Sequence, residues 1–193
     1  MQLDMLEKTD FLENEELILV DSDDNELGFL NKEKCHDGEG ILHRAFSLFV
    51  FNSNGDLLLQ KRSEKKRLWP LFWSNTCCSH PRKGESMEIA TRRRLKEELN
   101  IEASLECIYK FSYQAYFGEL GSENELCSVY LGRTTQDFSA NKDEIADARY
   151  VSWQALQNKL QATPEVFTPW FKMESKQLCS EFTDKLNAYT RGN

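Results

Sequence analysis

The sequence lacks an excess of positive charge. Its 193 residues carry 24 Lys and Arg against 32 Asp and Glu, which gives a formal net charge of −8. Broad binding of nucleic acid or of an anionic membrane needs a basic face, so this composition argues against both kinds of partner. Any anionic ligand must therefore be held by a local cluster of cations.

The sequence also lacks a long apolar run near its start and any C-x-x-C pair. Residues 1–20 carry scattered acidic side chains, so we predict neither a signal peptide nor a transmembrane span there. The six cysteines are scattered along the chain. We therefore expect a cytoplasmic protein whose cysteines are thiols, metal ligands or nucleophiles rather than a disulfide framework.

No internal repeat, low-complexity tract or linker divides the chain. A length of 193 residues suits one domain. We predict a single domain over residues 1–193, in which the polar residues 1–12 form a loosely ordered extension.

Hydrophobic periodicity predicts a sheet of short strands and two helical segments. Residues 43–52 are mostly apolar at both odd and even positions, as in a central strand buried on both faces. Other predicted strands cover residues 16–20, 26–30, 57–60, 105–117, 126–134 and 144–153. Helices are predicted over residues 84–100, with Ser86 as N-cap, and over residues 168–188.

The helix over residues 84–100 carries an inner stripe of Met87, Ala90, Thr91, Leu95 and Leu99. The four-residue spacing also aligns Ala90, Arg94 and Glu98 along one line of the helix. Glu98 can therefore face the core, whereas Glu97 points elsewhere.

Reactive side chains are concentrated in residues 74–81, read as a loop with the sequence Ser-Asn-Thr-Cys-Cys-Ser-His-Pro. Neighbours in an extended segment face opposite ways, so we interpret Cys77 as a packing residue and Cys78 as the reactive one. Nearby cations would favour a thiolate at Cys78, and the candidates are Lys66, Arg82, Lys83 and a metal. The basic run over residues 61–67 is by itself equally typical of a solvated loop.

The chain has only three histidines, His36, His43 and His80. A single histidine is usually a surface or core residue, and each of the three has that ordinary interpretation. Glu123 and Glu125 have alternate spacing and point to one side of an extended segment. Together these five side chains would suit a divalent transition metal such as zinc, manganese or iron.

These segments together resemble type I isopentenyl-diphosphate isomerase. The similarity runs from about residue 30 to residue 171, and its motifs are residues 75–81, the pair His36 and His43, and residues 93–99, 123–125 and 168–170. The resemblance implies an α+β class, with a Nudix-type fold in which a mixed β-sheet lies between α-helices. The Nudix hydrolase signature expects a metal-binding Glu at Arg94, Gly at Asn100 and Gly at Ser79. These departures favour the isomerase branch over diphosphate cleavage.

The resemblance also implies roles for particular residues. It assigns a divalent metal to His36, His43, His80, Glu123 and Glu125, and a magnesium ion that bridges Glu98 to the diphosphate. It assigns the diphosphate to Lys32, Arg62 and Lys66, with Ser79 near the substrate. Proton transfer is implied for Cys78 on one side and for Glu125, with Tyr113 beside it, on the other. Trp170 matches the aromatic residue that stabilises a carbocation.

We therefore predict an isomerase that interconverts isopentenyl diphosphate and dimethylallyl diphosphate through a tertiary carbocation. Its expected partner is this small diphosphate, and the expected assembly is a monomer or weak homodimer. One alternative is a Nudix hydrolase of a nucleoside diphosphate derivative. Another is a non-catalytic protein with structural zinc on Cys77, Cys78 and His80. Three of the residues with implied roles also have ordinary structural interpretations. These are Trp170 as a core residue, Tyr113 as a strand residue and Glu98 as a cap at the surface.

Overall fold

The strand His43–Phe51 runs through the centre of the structure, a computed structural model that describes residues 15–192. The predicted extension over residues 1–12 lies outside the described residues. The strands are β1 Glu16–Val20, β2 Glu26–Asn31, β3 His43–Phe51, β4 Asp56–Arg62, β5 Trp73–Ser74, β6 Cys77–Ser79, β7 Ser104–Tyr116, β8 Ser122–Arg133 and β9 Ile145–Ser152. The helices are α1 Lys32–Cys35, α2 Met87–Leu99, α3 Trp153–Ala162, α4 Pro169–Glu181 and α5 Thr183–Thr190, with a 3-10 turn at Pro164–Val166.

The sheet is mixed because β3 pairs in parallel with β8 and antiparallel with β1, β4 and β6. The hairpin of β1 and β2 extends one edge, and β9 pairs with β4. In the β3–β6 pairing, Ser47 lies opposite Cys78. This register brings the reactive segment against the central strand.

Both faces of β3 are buried, as its apolar sequence predicts. Phe46, Leu48 and Val50 pack on one side with α2, and Phe49 and Phe51 pack on the other side with α4 and α5. Each fully buried side chain of this size contributes about 1.5–3 kcal/mol. The predicted α+β class, with a mixed sheet between helices, is confirmed.

The helix α2 begins and ends as its sequence indicates. The Ser86 hydroxyl accepts a hydrogen bond from the amide of Ile89 at 3.3 Å and caps the N-terminus. Asn100 ends the helix in the left-handed conformation at φ 56°, which Asn tolerates. Arg94 and Glu98 join the buried apolar face, whereas Met87 is only partly buried.

Several local assignments made from the sequence are wrong. The strand β8 begins at Ser122 and not at residue 126 as predicted, because β7 pairs with residues 122–125 and β3 pairs with Glu125. Residues 73–79 contain the strands β5 and β6, although a loop was predicted for residues 74–81. The helix α1 at residues 32–35 was not predicted, and Trp153 begins a helix although it was predicted to end a strand. The tail forms α4 and α5, which are interrupted at Phe182. Strand pairing is a tertiary property that local composition does not reveal.

Within residues 15–192, no helix is both long enough and apolar enough to cross a membrane.

Candidate active site

A cavity of about 280 Å³ opens on the face of the sheet that α4 covers. It gathers most of the residues singled out in the sequence, although they come from segments far apart in the chain. Its lining includes Lys32, His36, Arg62, Lys66, Cys78, Ser79, His80, Tyr113, Glu123, Glu125 and Trp170. The two predicted site residues that do not line it are His43 and Glu98.

The two neighbouring cysteines lie on opposite faces of the sheet. Cys77 is fully buried in the apolar cluster beneath α2, whereas Cys78 packs on the α4 side and lines the cavity. This alternation follows from their positions in β6. It confirms the interpretation of Cys77 as a packing residue.

Four polar groups surround the thiol of Cys78, and one of them is the Ser74 hydroxyl, 3.8 Å from Sγ. Its Sγ donates to Asn75 Oδ1 at 2.7 Å, and Trp170 Nε1 donates to the same sulfur at 3.1 Å. The Ser47 hydroxyl lies 3.4 Å from Sγ. Asn75 is itself fixed, because its Nδ2 donates to the carbonyls of Leu48 and Cys77. The thiol therefore has a defined orientation.

The three cationic side chains expected to favour a thiolate at Cys78 are instead paired with carboxylates. Lys66 pairs with Glu144, and Arg82 and Lys83 pair with acidic groups of the N-terminal hairpin region. Burial, followed by the charge of Glu174, raises the pKa of the Cys78 thiol above its ordinary range. Cys78 is thus held as a proton-bearing thiol.

Glu125 faces the same cavity and is bound to a tyrosine. The Tyr113 hydroxyl donates to Glu125 Oε2 at 2.6 Å, and this pairing follows from their direct register across β7 and β8. Burial and the neighbouring charge of Glu123 raise the pKa of Glu125 to about 7. Glu125 therefore has the features of a group that can exchange a proton near neutral pH.

The three histidines and two carboxylates meet at one end of the cavity. Their ligand atoms all lie within 4.8 Å of one another, and all five side chains are buried. The strand β3 contributes His43, β8 contributes Glu123 and Glu125, and the segments after α1 and β6 contribute His36 and His80. The sequence prediction that these five residues form one cluster is confirmed.

Two of the imidazoles are oriented by the backbone. His36 Nδ1 contacts the carbonyl oxygen of Lys32 at 2.6 Å, and His43 Nδ1 contacts that of Ile41 at 2.7 Å. A ring that donates from Nδ1 presents an unprotonated Nε2, which is the form that binds a metal. Such backbone contacts commonly orient metal-binding histidines.

The unsatisfied atoms of the cluster fit a bound cation. His43 Nε2 and His80 Nδ1 are buried and have no hydrogen-bond partner within the described residues. Burial, followed by repulsion from His80, lowers the pKa of His43 to about 3, so its ring is neutral. Burial also lowers the pKa of His80, and imidazoles beside two carboxylates form a donor set suited to a divalent transition metal.

The cations of the cavity are each held by a protein group. Lys32 Nζ lies 3.0 Å from Glu15 Oε2, and Arg82 Nε lies 2.8 Å from the other oxygen of the same carboxylate. Burial opposes ionisation of Glu15, but Lys32 and Arg82 hold its pKa well below the ordinary value. Arg62 donates to the carbonyl oxygens of residues 68 and 69 and lies over the ring of Trp170, 5.3 Å from its centroid.

Glu98 lies behind the cavity wall and is 2% exposed. One carboxylate oxygen accepts from Arg94, and the other accepts from Gln60 Nε2 at 3.1 Å. Arg94 also lies 3.3 Å from Glu144, which pairs with Lys66. Glu98 is therefore buried as predicted, and Arg94 separates it from the open cavity.

Sequence reasoning missed the residues that hold the predicted ones in place. Asn75 lies within the reactive segment, but an amide in a polar stretch has no distinctive signal. Glu15, Ser47 and Glu174 are separated from their partners by 17 or more positions, and their contacts arise only from the sheet pairing and from α4. Arg94 had a signal, because the helix periodicity aligned it with Glu98.

Comparison with known proteins agrees with this geometry. The NUDIX domain family matches residues 41–171. A Photorhabdus laumondii protein named isopentenyl-diphosphate Delta-isomerase 1 is 38% identical over 89% of this chain and 99% of its own length. An Escherichia coli O1:K1 protein named isopentenyl-diphosphate Delta-isomerase is 36% identical over 93% of this chain and 99% of its own length.

Solved structures share the fold. A crystal structure of a Deinococcus radiodurans protein superposes with a TM-score of 0.69 at 23% identity, covering 84% of this chain and 98% of that one. A MutT protein from Methanosarcina mazei gives a TM-score of 0.59 at 18% identity, with 73% and 95% coverage. At these identities the similarity is one of fold.

Proposed function

The chain belongs to the isopentenyl-diphosphate Delta-isomerases within the NUDIX domain family, and from this premise we propose that its cavity interconverts isopentenyl and dimethylallyl diphosphate. The observation that carries the proposal is that one cavity is lined by the Cys78 thiol and by the Glu125–Tyr113 pair. The reaction needs two groups that exchange protons with the two carbons on either side of the substrate's tertiary carbon.

The chemistry requires a balanced pair of proton transfers. A proton added to the terminal CH₂ uses the electron pair of the double bond and leaves a tertiary cation. Loss of a proton from the adjacent CH₂ returns a C–H electron pair to form the new double bond. We assign these transfers to Cys78 and Glu125, which exchange roles in the reverse direction. Tyr113 orients the Glu125 carboxyl through its hydroxyl.

The cation formed between these steps needs a water-free, electron-rich surface. Trp170 is 2% exposed and lines the cavity beside Cys78. Its ring already attracts the guanidinium of Arg62. An indole face contributes about 2 kcal/mol or more to a desolvated cation, which supports the proposed role of this side chain.

We assign the diphosphate to the cationic side of the cavity. Lys32, Arg62 and Lys66 line it, and Ser79, the residue after Cys78, also lines the cavity. The protein has a net charge of −8, so an anion needs such a local group of cations. Lys32 and Lys66 are now paired with Glu15 and Glu144, and these carboxylates hold the lysines in position for a doubly charged ligand.

The buried cluster of three histidines and two glutamates is compatible with a divalent metal. We propose zinc, manganese or iron at His36, His43, His80, Glu123 and Glu125. Such an ion supplies positive charge that balances the two carboxylates and tunes their proton affinity. We further propose that Glu98 contributes to a magnesium site at the diphosphate, in competition with its present partner Arg94.

Two observations weigh against the alternatives. A Nudix hydrolase would carry a metal-binding carboxylate at the position of Arg94, whose guanidinium is instead buried against Glu98 and Glu144. A structural zinc site on both Cys77 and Cys78 is disfavoured because these side chains lie on opposite faces of the sheet.

The test is to incubate the purified, metal-loaded protein with isopentenyl diphosphate and magnesium and to separate the products. We expect dimethylallyl diphosphate without release of phosphate, and the reverse conversion from dimethylallyl diphosphate. Release of phosphate from nucleoside diphosphate derivatives, with no allylic product from isopentenyl diphosphate, would support the hydrolase alternative instead.

A further inference from the structure

A carboxyl group lies buried behind Cys78, outside the lining of the cavity. Glu174, on α4, is 0% exposed. Within residues 15–192 no cationic side chain forms an ion pair with it, and its Oε2 has no hydrogen-bond partner. Its Oε1 is 3.8 Å from the thiol of Cys127, which is a weak donor.

This burial is unfavourable for the fold. A buried carboxyl with incomplete hydrogen bonding loses its hydration without an equivalent replacement. Burial raises the pKa of Glu174 to about 8, even though the neighbouring Ser47 hydroxyl and Cys127 thiol act in the opposite direction. A leucine of similar volume would satisfy the packing better, so stability does not account for this glutamate.

The position of Glu174 follows from the helix that carries the proposed cation-stabilising ring. Trp170 and Glu174 are four residues apart in α4, so both side chains project from the same side of the helix. That side covers the face of the sheet on which Cys78 and Cys127 lie. The helix therefore places an indole on one side of the thiol and a carboxyl behind it.

Ser47 connects the carboxyl to the thiol. It lies opposite Cys78 in the β3–β6 register, and its hydroxyl is 3.4 Å from Cys78 Sγ and 3.5 Å from Cys127 Sγ. It is 1% exposed, so no solvent competes for this hydroxyl. Cys127 links Ser47 to the carboxyl, because its Sγ also lies 3.8 Å from Glu174 Oε1, and these contacts complete a chain of polar groups in an otherwise apolar layer.

We infer that Glu174 is a positioning residue of the isomerase site, which acts on Cys78 through Cys127 and Ser47. The carboxyl orients the Cys127 thiol against the Ser47 hydroxyl, and Ser47 contacts Cys78 Sγ together with Asn75 and Trp170. No proton leaves the carboxyl in this role. The inference rests on the proposed function, because it concerns the geometry of the same thiol.

The test combines thermal unfolding with steady-state kinetics of isopentenyl diphosphate conversion. For Glu174→Leu we expect a higher melting temperature, because an unsatisfied polar group is removed, together with a kcat lowered by about tenfold at nearly constant KM. Glu174→Gln retains hydrogen-bonding atoms, and we expect it to recover most of the wild-type kcat. A residue with only a structural role would not separate stability from kcat in this way.

Ser175→Ala is the matched control. Ser175 is the next residue of α4, is 1% exposed, and has a buried hydroxyl without a partner in the described part of the chain. It is absent from the cavity lining. We expect this variant to keep both kcat and KM, since it removes a buried polar group that does not reach Cys78.

A double-variant cycle tests whether Glu174 acts through Ser47. Ser47→Ala alone should lower kcat, and adding Glu174→Leu to it should lower kcat little further, because the link is already broken. Fully additive losses of kcat in the double variant, or an unchanged kcat in Glu174→Leu, would overturn the inference. Neither result would contradict the proposed function, because the wild-type protein would still convert its substrate. Absence of wild-type turnover would contradict the proposed function and the inference together.

Discussion

The indole Nε1 of Trp170 donates a hydrogen bond to Cys78 Sγ at 3.1 Å across a separation of 92 residues. The same N–H also lies 3.1 Å from the hydroxyl of Ser74. This contact joins α4 to the short strand β6 at the wall of the cavity. Trp170 therefore has two features relevant to the proposed reaction: a ring face for a cation and an N–H that orients the thiol.

Replacement of Trp170 by Phe separates these two features. Phenylalanine keeps an aromatic face but loses the hydrogen bond to Cys78. We expect kcat to fall by about tenfold in Trp170→Phe, and by a larger factor in Trp170→Leu, which has no aromatic ring. Steady-state kinetics of the two variants checks this order. Equal kcat values for both variants would show that the ring face has no part in the reaction.

The neighbouring cysteines should respond differently to substitution. Cys78→Ala removes the proposed proton-transfer group, and we expect kcat to fall by about 10²–10⁴-fold with the fold retained. Cys77→Ala leaves a small cavity beneath α2, at a cost of about 1 kcal/mol, and should keep its turnover. Product formation and thermal unfolding of both variants provide the measurement. Loss of turnover in Cys77→Ala alone would reverse this assignment.

Removal of the metal should abolish activity before it disrupts the fold. The His/Glu cluster joins segments that the sheet already holds together through β3 and β8. We expect dialysis against a chelator to eliminate turnover with little change in circular dichroism, and metal addition to restore it. Metal content measured on the same samples completes the comparison. Unfolding on chelation would instead favour a structural metal.

The ion pair between Lys66 and Glu144 should contribute to acid stability. Burial opposes ionisation of Glu144, but Lys66 and Arg94 lower its pKa from 4.5 to about 2. Because the folded-state pKa is the lower one, the contribution is complete above pH 4.5 and is lost as the pH falls toward 2.

Urea unfolding at a series of pH values checks this contribution. In Glu144→Gln, the free energy of unfolding should be lower than in the wild type above pH 4.5, and the difference should shrink as the pH approaches 2. Glu64→Gln, at an exposed position in the loop that carries Lys66, is the control and should follow the wild-type curve. A constant difference between Glu144→Gln and the wild type would contradict the predicted linkage.

The sequence predicted those parts of the fold that depend on local periodicity. The strand β3 and the helix α2 have clear patterns, and Ser86 caps α2 as expected. Residues 122–125 carry no local strand signal strong enough to extend β8, because their extended conformation depends on pairing with β7 and, at Glu125, with β3. The helix α3 was missed because its sequence follows directly on a strand.

The sequence also indicated which side chains meet, chiefly through the resemblance to a family. The alternation of Glu123 and Glu125 and the opposition of Cys77 and Cys78 were predictable from strand geometry alone. The charge state of Cys78 was not, since cations close in sequence turn out to be paired with Glu15, Glu16 and Glu144. Long-range ion pairs of this kind are visible only in the folded chain.

The exchange of protons between solvent and substrate tests the central claim most directly. Isopentenyl diphosphate is incubated in deuterated water with the metal-loaded wild-type protein and magnesium, and with Cys78→Ala as the matched control. We predict that the wild type forms dimethylallyl diphosphate carrying deuterium in the methyl group made from the terminal CH₂, whereas Cys78→Ala forms none. If the wild-type protein incorporates no deuterium and forms no allylic product, the account is contradicted.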